Sequence, residues 1–415
     1  MTATASRRSA YRSLLVHVLG VALGEALGAP ALAAQALGTS NGTRGRAVQL
    51  SGWLETEVRV FPHDGLYTQQ RSTYPALGGE LRLTGTLPGG AHRWAVTGFA
   101  RGDIEDGHRS HVELREATWA WQIARWQLRG GVLANFWGVT ESNRLVDVVN
   151  QRDEREVPDM DAKLGQPGIA FAGPVAGGTL EVLALTYHRP RAFGFGAGRF
   201  RPPPTFVDAP VYESAAGRHR IDWAGRWNAR AGAVDVGLSH FWGTSRDPEV
   251  RDGAAPQPRY AVIHQTGLDA QLTYGALLLK AEAIRRQGDG ITIAAATTGA
   301  EYVVGDVAPS GGDVVIFTEL TLDERGARTP TGLDRDLFLA VRWNRNDAAG
   351  TELTAGATLD LARGAHVVRL EASRRWSESW RVVGEAYLTA GHVPTEFGYL
   401  MRRDSFVRAA ITRHF

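Results

Sequence analysis

Segments of about ten residues in which apolar and polar side chains alternate recur along this 415-residue chain, and the repeat leaves few folds open. In the stretch 48–60, Val48, Leu50, Leu54, Val58 and Val60 share one face, while Gln49, Ser51, Glu55, Glu57 and Arg59 share the other. Successive side chains of a strand point to opposite faces, so this is a strand between an apolar and an aqueous phase. A half-buried strand of a soluble sheet would look the same, and the argument therefore rests on repetition. Eighteen segments are counted, at 48–60, 78–87, 92–103, 111–123, 125–137, 166–173, 178–188, 219–230, 233–243, 259–273, 276–287, 290–304, 312–323, 334–346, 351–361, 366–376, 380–390 and 404–415; counts of 16 or 14 also fit the pattern. Beyond the N-terminal region no stretch holds 18 consecutive apolar residues, so no spanning helix is expected. In lipid every backbone polar group must find an internal partner, which leaves closure of the strands on themselves. The expected fold is all-β, a closed antiparallel transmembrane β-barrel of about 18 strands.

The connections agree. Pro88-Gly89-Gly90, Ala176-Gly177, Ala231-Gly232 and Asp347-Ala348-Ala349-Gly350 are short turns, whereas 61–77, 138–165, 189–217, 244–258 and 324–333 are long and polar. With both termini in the periplasm, an even strand number puts short turns there and long loops outside. Trp94, Trp126, Trp376 and Trp380 sit at strand ends beside the short turns, and Trp137, Trp242 and Tyr187 at the opposite ends, as expected of rings at a membrane interface. At the N-terminus, Arg7, Arg8 and Arg12 precede the apolar run 14–23 and the small-residue site Ala31-Leu32-Ala33, the layout of a cleaved secretory signal. The domains expected are a signal peptide at 1–33, a short segment at 34–46 and the barrel at 47–415, with too little chain before the first strand for a plug domain. Removing the signal leaves 43 basic and 43 acidic side chains, and this balance argues against a nucleic-acid partner. The chain has no cysteine, which excludes disulfides, thiolate metal sites and thiol catalysis.

In the last segment, Phe415, Arg413, Ile411, Ala409 and Val407 share one face, and His414, Thr412 and Arg408 the other. This resembles the C-terminal signature of bacterial outer-membrane barrels, with Arg413 departing from the usual apolar residue. The resemblance implies that Phe415, Ile411, Ala409 and Val407 are read by the barrel-assembly machinery. The layout of 46–415 resembles the large outer-membrane porins. Phe136-Trp137-Gly138-Val139-Thr140-Glu141-Ser142, with Leu145-Val146-Asp147 and Asn150-Gln151, resembles a segment of an uncharacterised family of outer-membrane proteins. The porin resemblance implies one long loop folded into the lumen. Loop 138–165 fits that role: Ser142 is placed to cap a short helix, with Leu145, Val148 and Val149 on its apolar face. Its polar residues Glu141, Arg144, Asp147, Asn150, Asp153, Glu154, Asp159, Asp161 and Lys163 are the constriction candidates. Wall candidates are Glu55, Glu57, Arg59, Asp222, Arg226, Arg230, Lys280, Glu282 and Arg342, a mixture of both charges.

Catalytic patterns are missing. The 12 histidines form no metal-spaced pair, no nucleophile elbow is present, and Ser110-His111 and Ser239-His240 point to opposite faces. The acidic stretch 147–161 lacks the spacing of a known Ca²⁺ loop. Gly194-Phe195-Gly196-Ala197-Gly198 is followed by Arg199-Phe200-Arg201 and three prolines, so it reads as an exposed flexible loop rather than a phosphate cradle. No metal and no cofactor are expected. The expected function is a porin-like channel for passive diffusion of small polar solutes, with lipid as its surroundings and a homo-oligomer as one possibility. The alternatives are a barrel with a closed lumen whose loops 189–217 and 244–258 face a partner, and an outer-membrane enzyme.

Overall fold

The computed structural model describes residues 48–415 except 160, 204–205, 252–255, 289, 308–310 and 395. The expected signal peptide and the segment 34–46 lie outside the described residues. Twenty-one strands are described: β1 (Gln49–Val60), β2 (Thr73–Thr86), β3 (His92–Asp103), β4 (His111–Ile123), β5 (Trp126–Leu133), β6 (Gln166–Val175), β7 (Gly178–Leu185), β8 (Val211–Tyr212), β9 (Asp222–Ala231), β10 (Val234–Thr244), β11 (Glu249–Arg251), β12 (Gln257–Tyr260), β13 (Val262–Tyr274), β14 (Leu277–Gly288), β15 (Ile291–Val304), β16 (Asp313–Asp323), β17 (Arg335–Asn344), β18 (Glu352–Asp360), β19 (His366–Arg375), β20 (Trp380–Ala390) and β21 (Phe406–His414). The short β8, β11 and β12 form a small sheet of their own among the long loops. The other 18 form one antiparallel sheet that closes where β1 pairs with β21, from Trp53 opposite His414 to Val60 opposite Val407. Gly52 and Phe415 extend this seam by exchanging both backbone hydrogen bonds at 3.0 Å. Closure leaves no edge strand with unpaired groups facing lipid.

Each barrel strand falls on a segment read from the alternation. β2 starts at Thr73 rather than 78, because Pro75 and the pair Gly78-Gly79 interrupt the pattern there. β5 ends at Leu133 rather than 137, where the chain turns into the lumen. On β16, Ile316, Leu320 and Leu322 face outward at 37–48% exposure, while inward-facing Glu319 and Thr321 are buried to 2–3%. Apolar out and polar in inverts the pattern of a soluble core and is what lipid outside and protein or water inside require. β4 carries the one departure from strict alternation in its register with β3, a bulge beside Thr97/Gly98 that leaves Arg115 unpaired. The extra residue shifts the parity. Leu114 and Trp119 thereby both face outward, and Arg115 lies 3.8 Å from the Phe99 ring centre and 2.8 Å from the Glu80 carboxylate.

Glycines seat large rings on the outer wall. A Cβ on Gly173 would lie 2.0 Å from the Trp126 ring, which stacks at 5.0 Å on Phe171. A Cβ on Gly52 would meet the Phe415 ring at 2.8 Å and the Glu80 carbonyl at 2.4 Å. Gly52→Val overpacks the closing seam and should destabilise the refolded barrel by about 1–3 kcal/mol. Thermal unfolding in detergent checks this, and an unchanged midpoint would refute it.

The buried apolar cluster lies inside the barrel. It joins Trp137, Leu145, Val146, Val148 and Val149 of the connection 134–165 to the inward-facing Leu183, Leu185, Phe241, Ile263, Ile284 and Ile293 of the wall. A second cluster, at the long-loop rim, packs Phe61, Tyr74 and Phe406 with Phe200 and Tyr387.

Candidate functional site: the loop across the lumen

The connection 134–165 is moored to opposite sides of the barrel by hydrogen bonds that its irregular backbone needs. Glu282 on β14 accepts from the Val139 N–H (2.7 Å), the Thr140 N–H (2.9 Å) and hydroxyl (2.8 Å), and the Val146 N–H (3.1 Å). Glu319 on β16 accepts from the Glu141 and Ser142 N–H groups, both at 2.8 Å, and from the Ser142 hydroxyl at 2.5 Å. On the other side, Arg59 of β1 donates to the Val157 carbonyl at 2.9 Å, and Arg101 of β3 grips Glu156 through two nitrogens at 2.9 and 3.0 Å. The Arg246 guanidinium donates to the Val149 carbonyl between these moorings.

The expected helix beginning at Ser142 does not form. The N–H groups of 139–142 and 146 are taken by the two wall carboxylates, and Ser142 donates to Glu319 instead of accepting from its own chain. Leu145, Val148 and Val149 nevertheless end up buried together. Among the described residues, the loop's own helical element is a single 3₁₀ turn, Glu154–Glu156, capped by Asp153. Trp137, expected at a membrane interface, is buried to 5% inside the lumen, with Arg226 over its ring.

Of the loop candidates, Asn150 has a structural role. Its amide bridges the Leu133 and Leu164 carbonyls at 2.8 and 2.9 Å, and its oxygen accepts from the Asn135 N–H at 3.0 Å, holding the two ends of the loop together. Asp147 pairs with Lys163, which also lies 4.4 Å from the Phe136 ring centre. Burial lowers the Lys163 ammonium from its ordinary pKa, with Asp147 opposing the shift. Asp153 is 1% exposed; burial alone would raise its pKa, but hydrogen bonds with His111 and Arg155 outweigh it and hold the carboxyl well below its usual range. Glu154 reaches Arg191 at 3.3 Å. Glu141, Arg144, Asp159 and Asp161 form the loop's wet edge, where Arg144 pairs with Asp161, and the side chains of Glu141 and Asp161 are 39% and 37% exposed.

The wall candidates divide by height. Glu57 is 2% exposed and has four arginines around it: Arg59 at 3.4 Å, Arg101 at 3.2 Å, Arg109 at 2.6 Å, and Arg408, which also holds Glu55 at 2.6 Å. Asp222 pairs with Arg220 and Arg246, and Arg226 makes a bidentate pair with Asp269, both bonds at 2.7 Å. Lys280 ties Glu301 of β15 to the loop's Glu141. Arg342 faces the lumen and is 42% exposed, with Glu352 at 3.7 Å. Arg230, by contrast, lies at the short-turn rim with its side chain 69% exposed, because β9 carries it past the packed part of the lumen.

Two further loops depart from the sequence reading. The glycine-rich stretch near 194–198 is packed down rather than free: the Tyr74 hydroxyl donates to the Ala197 carbonyl, Gln70 donates to the Gly198 carbonyl, and Arg199 pairs with Asp404 at 3.1 Å. The loop after β10, read as outward-facing, sends Ser245 and Arg246 inward to 4% exposure each. Glu319, Asp247, Arg101, Arg109 and Arg408 escaped the sequence analysis as site residues. Glu319 and Arg408 had a usable signal, their places on the polar faces of β16 and β21, whereas Asp247 and Arg109 lie in loops.

The architecture defines a class: a closed 18-stranded β-barrel of porin-like layout, apolar on its outer face, with a loop folded across its interior. Among solved structures the chain is similar to Wzi of Escherichia coli, described as an outer-membrane protein involved in group 1 capsule assembly and a carbohydrate-binding β-barrel; identity is 13%, coverage is 89% of this chain and 84% of that one, and the TM-score is 0.53. It is also similar to OpdO of Pseudomonas aeruginosa, at 11% identity, 89% and 96% coverage and a TM-score of 0.52. At such identities the likeness concerns the fold. No protein-family model matches the chain, and no curated protein matches it.

Proposed function

We propose that the protein is an outer-membrane channel for small polar solutes, with long loops outside, short turns in the periplasm and the connection 134–165 as its constriction. One observation carries this reading. The loop's wet edge, Glu141, Asp159 and Asp161, shares the lumen with water-exposed wall charges, Arg342 and Arg369, the latter 47% exposed. Across that space the inward residues of β18 are Thr354, Gly356 and Thr358, small enough to leave a passage. Acidic groups on the loop and basic groups on the wall would orient a dipolar solute as it passes. Phe415, Ile411, Ala409 and Val407 line the outward face of the closing strand, where assembly machinery would meet them. The test is single-channel conductance of the refolded protein in planar bilayers, with the loop intact and with 141–161 replaced by a short linker. Steady conductance that rises at least about twofold on replacement is expected. No conductance in either form would defeat the channel.

A second reading has its own support. Phe61, Tyr74 and Phe200 line a pocket at the long-loop rim together with Asp103, Asp106 and Arg109. Ring faces beside hydrogen-bonding charges suit a sugar. In that case the barrel is a carbohydrate-binding scaffold, and oligosaccharide binding without conductance would be observed.

A further inference from the structure

On the side of the loop toward β14 lies a second chamber, between residues 143–152 of the loop and the wall. Among the described residues, seven cationic side chains and two carboxylates line it. One of those carboxylates, Asp247, belongs to the loop after β10. Its two oxygens meet Arg191 at 2.9 Å, Arg286 at 3.0 Å and Arg325 at 3.9 Å. Arg191 and Arg325 have other carboxylate partners, Glu154 and Asp323. For Arg286, Asp247 is the sole carboxylate within ion-pair distance among the described residues. Arg152, on the same lining, forms no ion pair among them. Arg246 is 4% exposed and lines the chamber too, and one of its terminal nitrogens finds no hydrogen-bond partner. Three guanidinium groups therefore converge on one carboxylate carried by a loop, with unused donors beside it. Guanidinium forks match carboxylate and phosphate geometry.

We propose that this chamber binds a small oxyanion, a carboxylate or a phosphate, and that Asp247 is its resident occupant, which the entering anion displaces. The Asp247 carboxylate occupies the place a solute anion would take between Arg191, Arg286 and Arg325. Its loop is tethered locally, through the Ser245 hydroxyl accepting from the Asp247 N–H at 3.1 Å and donating to the Asp247 carbonyl at 2.8 Å, so the side chain can swing out while the turn holds. In Asp247 burial, which would raise its pKa, is outweighed by Arg286, Arg191, Arg325 and Arg152, so the carboxyl stays ionised and competes as an anion throughout the neutral range. The inference deepens the channel reading, on which it rests only for the route by which the anion arrives.

The experiment is isothermal titration of the refolded full barrel in neutral detergent at low salt, where screening is weakest, with inorganic phosphate and with succinate as probes. Asp247→Asn keeps the shape of the side chain and removes the competing charge. It should bind phosphate or succinate about tenfold more tightly than the unaltered protein. Arg152→Gln, which breaks no ion pair, should bind severalfold more weakly with an unchanged thermal midpoint. The proposal is overturned if neither anion gives saturable heat with Asp247→Asn, or if that variant binds no better than the unaltered protein. Conductance is read separately: binding without conductance retains the anion site and removes the channel, and conductance without binding does the reverse.

Discussion

Glu282→Ala combined with Glu319→Ala will release the loop from the wall and raise single-channel conductance about twofold or more, with frequent brief closures. Seven loop donors end on these two carboxylates. A hydrogen bond to a charged acceptor contributes about 1.5–3 kcal/mol, and a buried donor left without a partner costs about 1–3 kcal/mol. Even with strong non-additivity, the double variant removes several kcal/mol of mooring. The apolar contacts of Leu145, Val146, Val148 and Val149 remain, so the loop should fluctuate rather than leave the lumen, and the closures follow from that. The strand ladders are untouched, so the heat-resistant folded form on a gel should persist. An unchanged conductance trace would show that the passage does not run beside this loop.

Glu57→Gln will be the most destabilising single substitution on the wall, by about 3–5 kcal/mol. It takes the shared anion from four arginines; Arg101, Arg109 and Arg408 keep Glu156, Asp103 and Glu55, but buried Arg59 is left with no carboxylate partner among the described residues and all four guanidinium groups still face the neutralised site. Breaking a buried pair by removing one partner typically costs about that much, because the remaining charge stays desolvated. Arg342→Gln provides the contrast: its partner Glu352 is 3.7 Å away and the arginine is 42% exposed. Water and salt screen such a pair, and less than about 1 kcal/mol is expected. Thermal unfolding of both variants in the same detergent decides the matter, and equal midpoints would mean that the Glu57 cluster carries no special weight.

How far these residues were legible depended on whether their partners were near in sequence. The outward residues of β16 and the polar face of β1 follow from alternation, since the pleat itself sets that period. The bulge at Arg115 left a trace too: Val112 and Leu114 occupy even positions, whereas Trp119 and Trp121 occupy odd ones, so the apolar face changes parity between them. Arg230 shows the limit of alternation, because parity assigns a face and says nothing about height along the strand. The Ser142 helix failed for a different reason. Helical spacing in 142–149 was real, but the carboxylate that took the Thr140 N–H lies 142 residues away on β14. No local pattern records such a competitor.

Local patterns were enough for the closed antiparallel barrel, the face each segment shows to lipid and the short and long rims, while the count of 18 over 16 or 14 came with closure of the sheet. The first three follow from backbone hydrogen bonding in lipid and from the two-residue period, both local rules. The tertiary structure alone decided where the loop lies, which carboxylates moor it, which of the wall charges are buried in pairs, and that Asp247 enters a chamber of arginines. Those are meetings across a lumen between residues far apart in the chain. Their energies come from desolvation and geometry, which exist only once the sheet has closed.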